Sequence, residues 1–152
     1  FKSVNYIDIT AEDADAECAR YAALLAQYPT DIVVMGIGEN GHIAFNDPWV
    51  ADFNDPKKVK LVPLDETCRN QQVHDGCFKT LDEVPKTAIT LTVPTLMAGS
   101  HLFCIVPAPT KANAVMNTIN GEIGEGCPAT ALRKHESAVL YLDGDSSALL
   151  SL

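Results

Sequence analysis

From residue 11 to residue 28, apolar side chains fall at Ala11, Ala14, Cys18, Tyr21, Ala22 and Leu25. These three- and four-residue steps predict an amphipathic helix. Thr10 reads as its N-cap, Glu12, Asp13 and Asp15 complement its first turn, and Pro29 lies beyond its end. Residues 31–37 change period altogether: Ile32-Val-Val-Met-Gly-Ile37 is a continuous apolar run between turn residues, the pattern of a strand buried on both faces of a parallel sheet. Further strands are predicted over 59–63, 88–93, 101–106 and 138–142. Helical segments are predicted over 65–73, 94–97, 111–120 and 128–134. Residues 38–56 read as one long irregular loop, with an echo of Phe45-Asn-Asp-Pro48 in Phe53-Asn-Asp-Pro56. Strands alternating with helices predict an α/β domain in three layers. Its sheet is mostly parallel with helices on both faces, Rossmann-like, and one domain spans residues 1–152. Ligands of such sheets bind beyond the carboxyl ends of the strands. The loops after Ile37, Leu91 and Val106 are therefore where chemistry is expected.

Composition narrows the partners. The 152 residues, 47% of them hydrophobic, are one domain's worth of chain. A net charge of −9, with no basic run longer than Lys57-Lys58, argues against nucleic acid or an anionic membrane surface as partner. No apolar stretch approaches the roughly 18 residues of a membrane span, so a cytoplasmic protein is expected. The five cysteines are odd in number and widely spaced, and the four histidines lack metal-ligand spacing. Neither a disulfide framework nor a metal is expected, and no cofactor is called for.

Gly36-Ile-Gly-Glu-Asn-Gly41 matches G-x-G-x-x-G directly after a strand, with Asp55 as a candidate ribose acid. That motif works only when its glycines open a helix whose N-terminus holds a pyrophosphate. Here Pro48 follows His42 after five residues, with no helical period beyond it. A dinucleotide site is therefore not expected. What remains is a dense polar cluster of Glu39, Asn40, His42, Asn46 and Asp47 at a strand's carboxyl end. A histidine beside carboxylates is suited to moving protons near neutral pH; the alternative is an ordinary hydrogen-bonded loop histidine. Lys111 follows Thr110 at the start of a helix leaving a buried strand. Free N–H groups, the helix dipole and an ammonium there make an anion site.

The segment Met35-Gly-Ile-Gly-Glu-Asn-Gly-His-Ile-Ala-Phe-Asn-Asp-Pro48 resembles the active-site stretch of glucosamine-6-phosphate deaminases (isomerases), G-x-G-x-D/N-G-H-I-A/G-F-N-E-P. The resemblance extends to Ala14-Asp-Ala-Glu-Cys-Ala-Arg-Tyr21, to Val84-Pro-Lys-Thr-Ala-Ile-Thr-Leu-Thr-Val93 and to Thr110-Lys-Ala112. Phe45-Asn46 favours this branch over the sister 6-phosphogluconolactonases. The resemblance implies conversion of glucosamine 6-phosphate and water to fructose 6-phosphate and ammonia, in amino-sugar metabolism. His42 then opens the pyranose ring with Asp47 and Asn40 beside it, Lys111 and Thr110 hold phosphate, and Gly38 and Gly41 shape the substrate loop. A homo-oligomer is expected.

Two departures stand out. Asp47 replaces a Glu, losing about 1.5 Å of reach, so its contact with His42 should need a shifted loop or a water. Cys77 stands where the family has an Arg before Phe78; Arg69 and Lys79 are nearby with no role assigned, and Gln71, Gln72 and Asp75 are expected to replace lost contacts around the sugar. Trp49 and Phe53 are expected to pack the loop or cover the sugar. His74, His101 and His135 are expected to be structural. The family is longer at its N-terminus, where a Gly-rich phosphate loop and its enolisation base lie. The chain is accordingly expected to be the C-terminal portion of a larger domain, inactive alone and with an uncovered sheet face. A lactonase, with the same histidine activating water, and a phosphosugar sensor without turnover are the other readings.

Overall fold

The computed structural model describes residues 1–151. Helix α1 (Ala14–Gln27) begins one turn later than its apolar period suggests, because Asp13 is its N-cap. The Asp13 carboxylate accepts the N–H groups of Asp15 and Ala16, leaving Thr10 outside bonded to Asp8. Three strands form a parallel sheet in the order β1 (Ile32–Met35), β4 (His101–Val106), β5 (Ala138–Leu142). Strands β2 (Val59–Pro63) and β3 (Thr87–Leu91) do not join it. They pair antiparallel with each other as a separate ribbon, which corrects the single-sheet expectation. Alternating apolar patterning cannot tell one sheet from two, since pairing partners are set by tertiary context.

One face of the parallel sheet carries the core. Leu102, Cys104 and Val106 of β4 are buried there with Val93 and Leu96 of α3 (Val93–Met97) and Ala114 and Val115 of α4 (Ala112–Asn120). A 3₁₀ segment, Pro128–Lys134, closes this layer in place of the α-helix its pattern suggests. The opposite face is uncovered among the described residues, with Ile32, Val34, Ile105, Val139 and Tyr141 exposed. Strand β1 is thus not buried on both faces: Val34 is 68% exposed. The apolar run reports the residue types of a two-faced strand, and the described residues supply cover for one face only.

Helix α2 (Glu66–His74) is capped by the Asp65 carboxylate, which accepts the Cys68 N–H. It lies beyond the carboxyl end of β1, where the following loop turns. All five cysteines are free, and no described helix is long and apolar enough to cross a membrane.

Candidate active site

The loop after β1 folds on itself because its glycines permit close approach. Gly38 donates its N–H to the His42 carbonyl at 2.8 Å, and Gly41 donates to the Gly38 carbonyl at 2.9 Å. Gly41 sits at φ +85°, and a side chain there would strike Cys127 Sγ. A Cβ on Gly38 would fall 2.1 Å from His42 Cε1, so the imidazole lies flat against bare backbone. No helix follows Gly41, and a dinucleotide reading fails on geometry. Asp55, the candidate ribose acid, instead pairs with Lys60 at 2.6 Å.

The downstream half of the loop is pinned to β3. Asn46 is fully buried and donates to the carbonyls of Ile43 at 2.9 Å and Leu91 at 2.8 Å. This pin sets Asp47. Its Oδ1 lies 3.0 Å from His42 Nδ1, so of the two routes expected for the shorter side chain, a shifted loop or a water, the contact is direct and needs no bridge. Asn40 completes the cluster. Its Oδ1 accepts from both the backbone N–H of His42 at 3.0 Å and the ring Nδ1 at 2.7 Å, while its Nδ2 donates to Asp47 Oδ1 at 2.8 Å.

With two acceptor oxygens at Nδ1, the imidazole carries its proton there, and Nε2 is left as the basic nitrogen. Burial raises the Asp47 carboxyl pKa, but the hydrogen bonds from His42 and Asn40 outweigh it and the net displacement is downward. Asp47 therefore stands ionised behind the imidazole, poised to stabilise an imidazolium. His42, Asp47 and Cys68 also offer donor atoms within 4.8 Å of one another. Burial pushes the Cys68 thiol up to about 12, and Nδ1 already faces the oxygens of Asn40 and Asp47.

His42 opens onto a cavity of about 490 Å³ whose lining includes Gly38, Gln71, Gln72, Thr90 and Lys111. His42 and Lys111, predicted from separate segments, thus meet at one rim of the sheet. The two reach it by different routes, from the loop after β1 and from the 3₁₀ turn Pro109–Lys111 after β4. Burial lowers the Lys111 pKa, against the opposing influence of Asp75 and Glu39. Thr110 is exposed and Gly41 is buried against Cys127, and neither lines the cavity. Gly41 acts on the loop's shape rather than on a ligand.

The residues considered as stand-ins for the missing arginine separate clearly. Arg69 donates to the carbonyls of Leu81 and Val84, and Lys79 and Cys77 are exposed off the cavity, whereas Gln71 and Gln72, expected around the sugar, line it. Phe45, Ile89 and Thr90 also line it, positions that patterning could assign only to packing. Trp49 is exposed, and Phe53 packs on the core under Lys134. His101 and His135 tie the sheet to its flanking turns through Ser137 and Gly99, while His74 lies 3.6 Å from Glu39.

A buried His42–Asp47–Asn40 hydrogen-bond cluster and a lysine share a cavity at the carboxyl end of parallel strands in an α/β protein. Residues 2–141 match the family of glucosamine-6-phosphate isomerases/6-phosphogluconolactonase, and the chain belongs to that family. Glucosamine-6-phosphate deaminases of Bacillus cytotoxicus and Bacillus cereus are 34% and 36% identical to it over 151 residues, covering 99% of this chain and 56% of each relative. The chain spans about half the length of these curated relatives. A solved structure described as a monomeric glucosamine-6-phosphate deaminase, a missing link of the NagB superfamily, superposes with a TM-score of 0.86 at 34% identity, over 93% of this chain and 57% of that one. A 6-phosphogluconolactonase from Trypanosoma cruzi, 20% identical with a TM-score of 0.65 over 99% of this chain and 55% of that one, shares the fold.

Proposed function

We propose that the protein carrying this chain is a cytoplasmic glucosamine-6-phosphate deaminase, converting glucosamine 6-phosphate and water to fructose 6-phosphate and ammonia. The observation that carries this reading is that His42 and Lys111 line one cavity. Lys111 holds the phosphate. His42 Nε2 takes the proton of the anomeric hydroxyl, and the resulting imidazolium returns a proton to the ring oxygen, opening the ring. Asp47 and Asn40 fix the tautomer and stabilise the imidazolium between the two transfers. Removal of the C2 proton requires a second base.

The identity to proteins named as deaminases supports this reading over the lactonase, whose solved structures share the fold at lower identity. The oligomer expected from the sequence is not part of the proposal, since the neighbouring deaminase structure is itself described as monomeric. The test is ammonia release from glucosamine 6-phosphate by the full-length protein. Hydrolysis of 6-phosphogluconolactone without ammonia would favour the lactonase, and saturable binding of the sugar phosphate without either product would favour the sensor.

A further inference from the structure

Among the described residues, five that carry polar side chains line the cavity: His42, Gln71, Gln72, Thr90 and Lys111. Two of them are already spent. Thr90 Oγ1 accepts from the Phe45 N–H at 3.1 Å and donates to the Leu91 carbonyl at 3.0 Å. Gln71, 8% exposed, accepts the Glu39 N–H on its Oε1 at 2.9 Å and donates from its Nε2 to Asp75 at 3.2 Å. It is a positioning residue that ties the last turn of α2 to the loop before His42. With His42 committed to proton transfer, Lys111 is the one cation on the cavity, and it makes no ion pair among the described residues.

A phosphate dianion carries three acceptor oxygens, and each charge-assisted hydrogen bond it gains strengthens its binding. Gln72 is the remaining polar side chain, half-buried, with its carboxamide in no hydrogen bond among the described residues. Its backbone carbonyl accepts the N–H groups of Cys77 and Phe78, so the residue's place on the wall is fixed by the turn that ends α2. Gln72 and Lys111, from the end of α2 and the turn after β4, line the same cavity.

We infer that Gln72 is a neutral second ligand for the substrate phosphate, working with Lys111 where the resembled family employs an arginine. The inference rests on the sugar-phosphate reading above and names the phosphate contacts of that same site. A neutral amide in place of a guanidinium leaves a single positive charge on the cavity wall, so affinity depends heavily on each remaining donor.

Calorimetric titration of the full-length protein with inorganic phosphate and with glucosamine 6-phosphate tests this without relying on turnover. Q72A is expected to weaken both ligands about tenfold, the usual cost of a hydrogen bond to a charged group. Q72E, near-isosteric but anionic, is expected to weaken them further. Thermal unfolding of Q72A is expected to match wild type, as suits a half-buried side chain without protein partners. Unchanged affinity for both ligands in both variants overturns the assignment of Gln72 while leaving the deaminase reading intact. Equal binding by Q72E and wild type overturns a phosphate contact in particular. Wild-type protein that binds neither ligand overturns the deaminase reading and this inference together.

Discussion

His42 Nδ1 lies 3.0 Å from Oδ1 of Asp47, a carboxylate with no exposed surface. A buried charge is tolerable only with partners, and the imidazole and the Asn40 amide both meet Asp47 at Oδ1, while Oδ2 is buried without a hydrogen-bond partner among the described residues. H42A in the full-length protein is therefore expected to lower kcat by roughly 10²–10⁴-fold, the span of general acid–base catalysis. Its KM should stay close to wild type, because the phosphate contacts remain. Steady-state kinetics of ammonia release checks this.

Asp47 also makes the fold sensitive to acid. Its pKa is lowered in the folded chain, so its contribution to stability is present above the unfolded value of about 3.9 and is lost as the pH falls through the lowered folded value. D47N is expected to cost about 1–3 kcal/mol at neutral pH, with the deficit shrinking toward acid. Urea unfolding of both proteins between about pH 7 and pH 3 measures it.

Asn40 sets the balance at Nδ1. N40D places a second carboxylate beside the imidazole and favours its charged form. The acid limb of the kcat/KM profile is expected to move to higher pH, and a profile unchanged by N40D would remove Asn40 from the relay.

Lys111 should trade stability for binding. Burial lowers its pKa, so folding is opposed by the charged form and stability should rise as the pH climbs through the lowered folded value. K111M is expected to raise the melting temperature at neutral pH while raising KM roughly 10–100-fold. In the wild type, KM should begin to rise with pH below the ordinary lysine value of 10.5.

Ala108 precedes the lysine turn at φ +86°, a region that favours glycine. A108G is expected to stabilise the protein by about 1 kcal/mol through relief of this strain, partly offset by unfolded-chain entropy. Thermal or urea unfolding reads the difference.

The elements on the parallel sheet were legible because their signals are local. Strands β4 and β5 match the apolar runs at 101–106 and 138–142, and α4 follows its amphipathic period. What patterning missed depends on partners distant in sequence, such as the β2–β3 ribbon; the exposed sheet face is in line with the uncovered face expected from the resemblance. The site divides in the same way. His42, Asn40 and Asp47 lie within eight residues, and their convergence could be read from a glycine-bordered turn. The direct Asp47 contact was hidden, because it depends on Asn46 being anchored to Leu91 in another element. The two Phe-Asn-Asp-Pro echoes show the limit. Asp47 is buried against an imidazole, while Asp55 pairs with Lys60; local sequence is the same and the surroundings decide.

On the proposed function, His42 and Lys111 address two ends of one phosphorylated sugar. A crystal structure of the full-length protein with an open-chain analogue of glucosamine 6-phosphate would show where each end lies. The phosphate is expected against the Lys111 ammonium, with the C1 end within hydrogen-bond reach of His42 Nε2. A phosphate bound away from Lys111, or an analogue lying entirely outside the cavity that His42 lines, would contradict it.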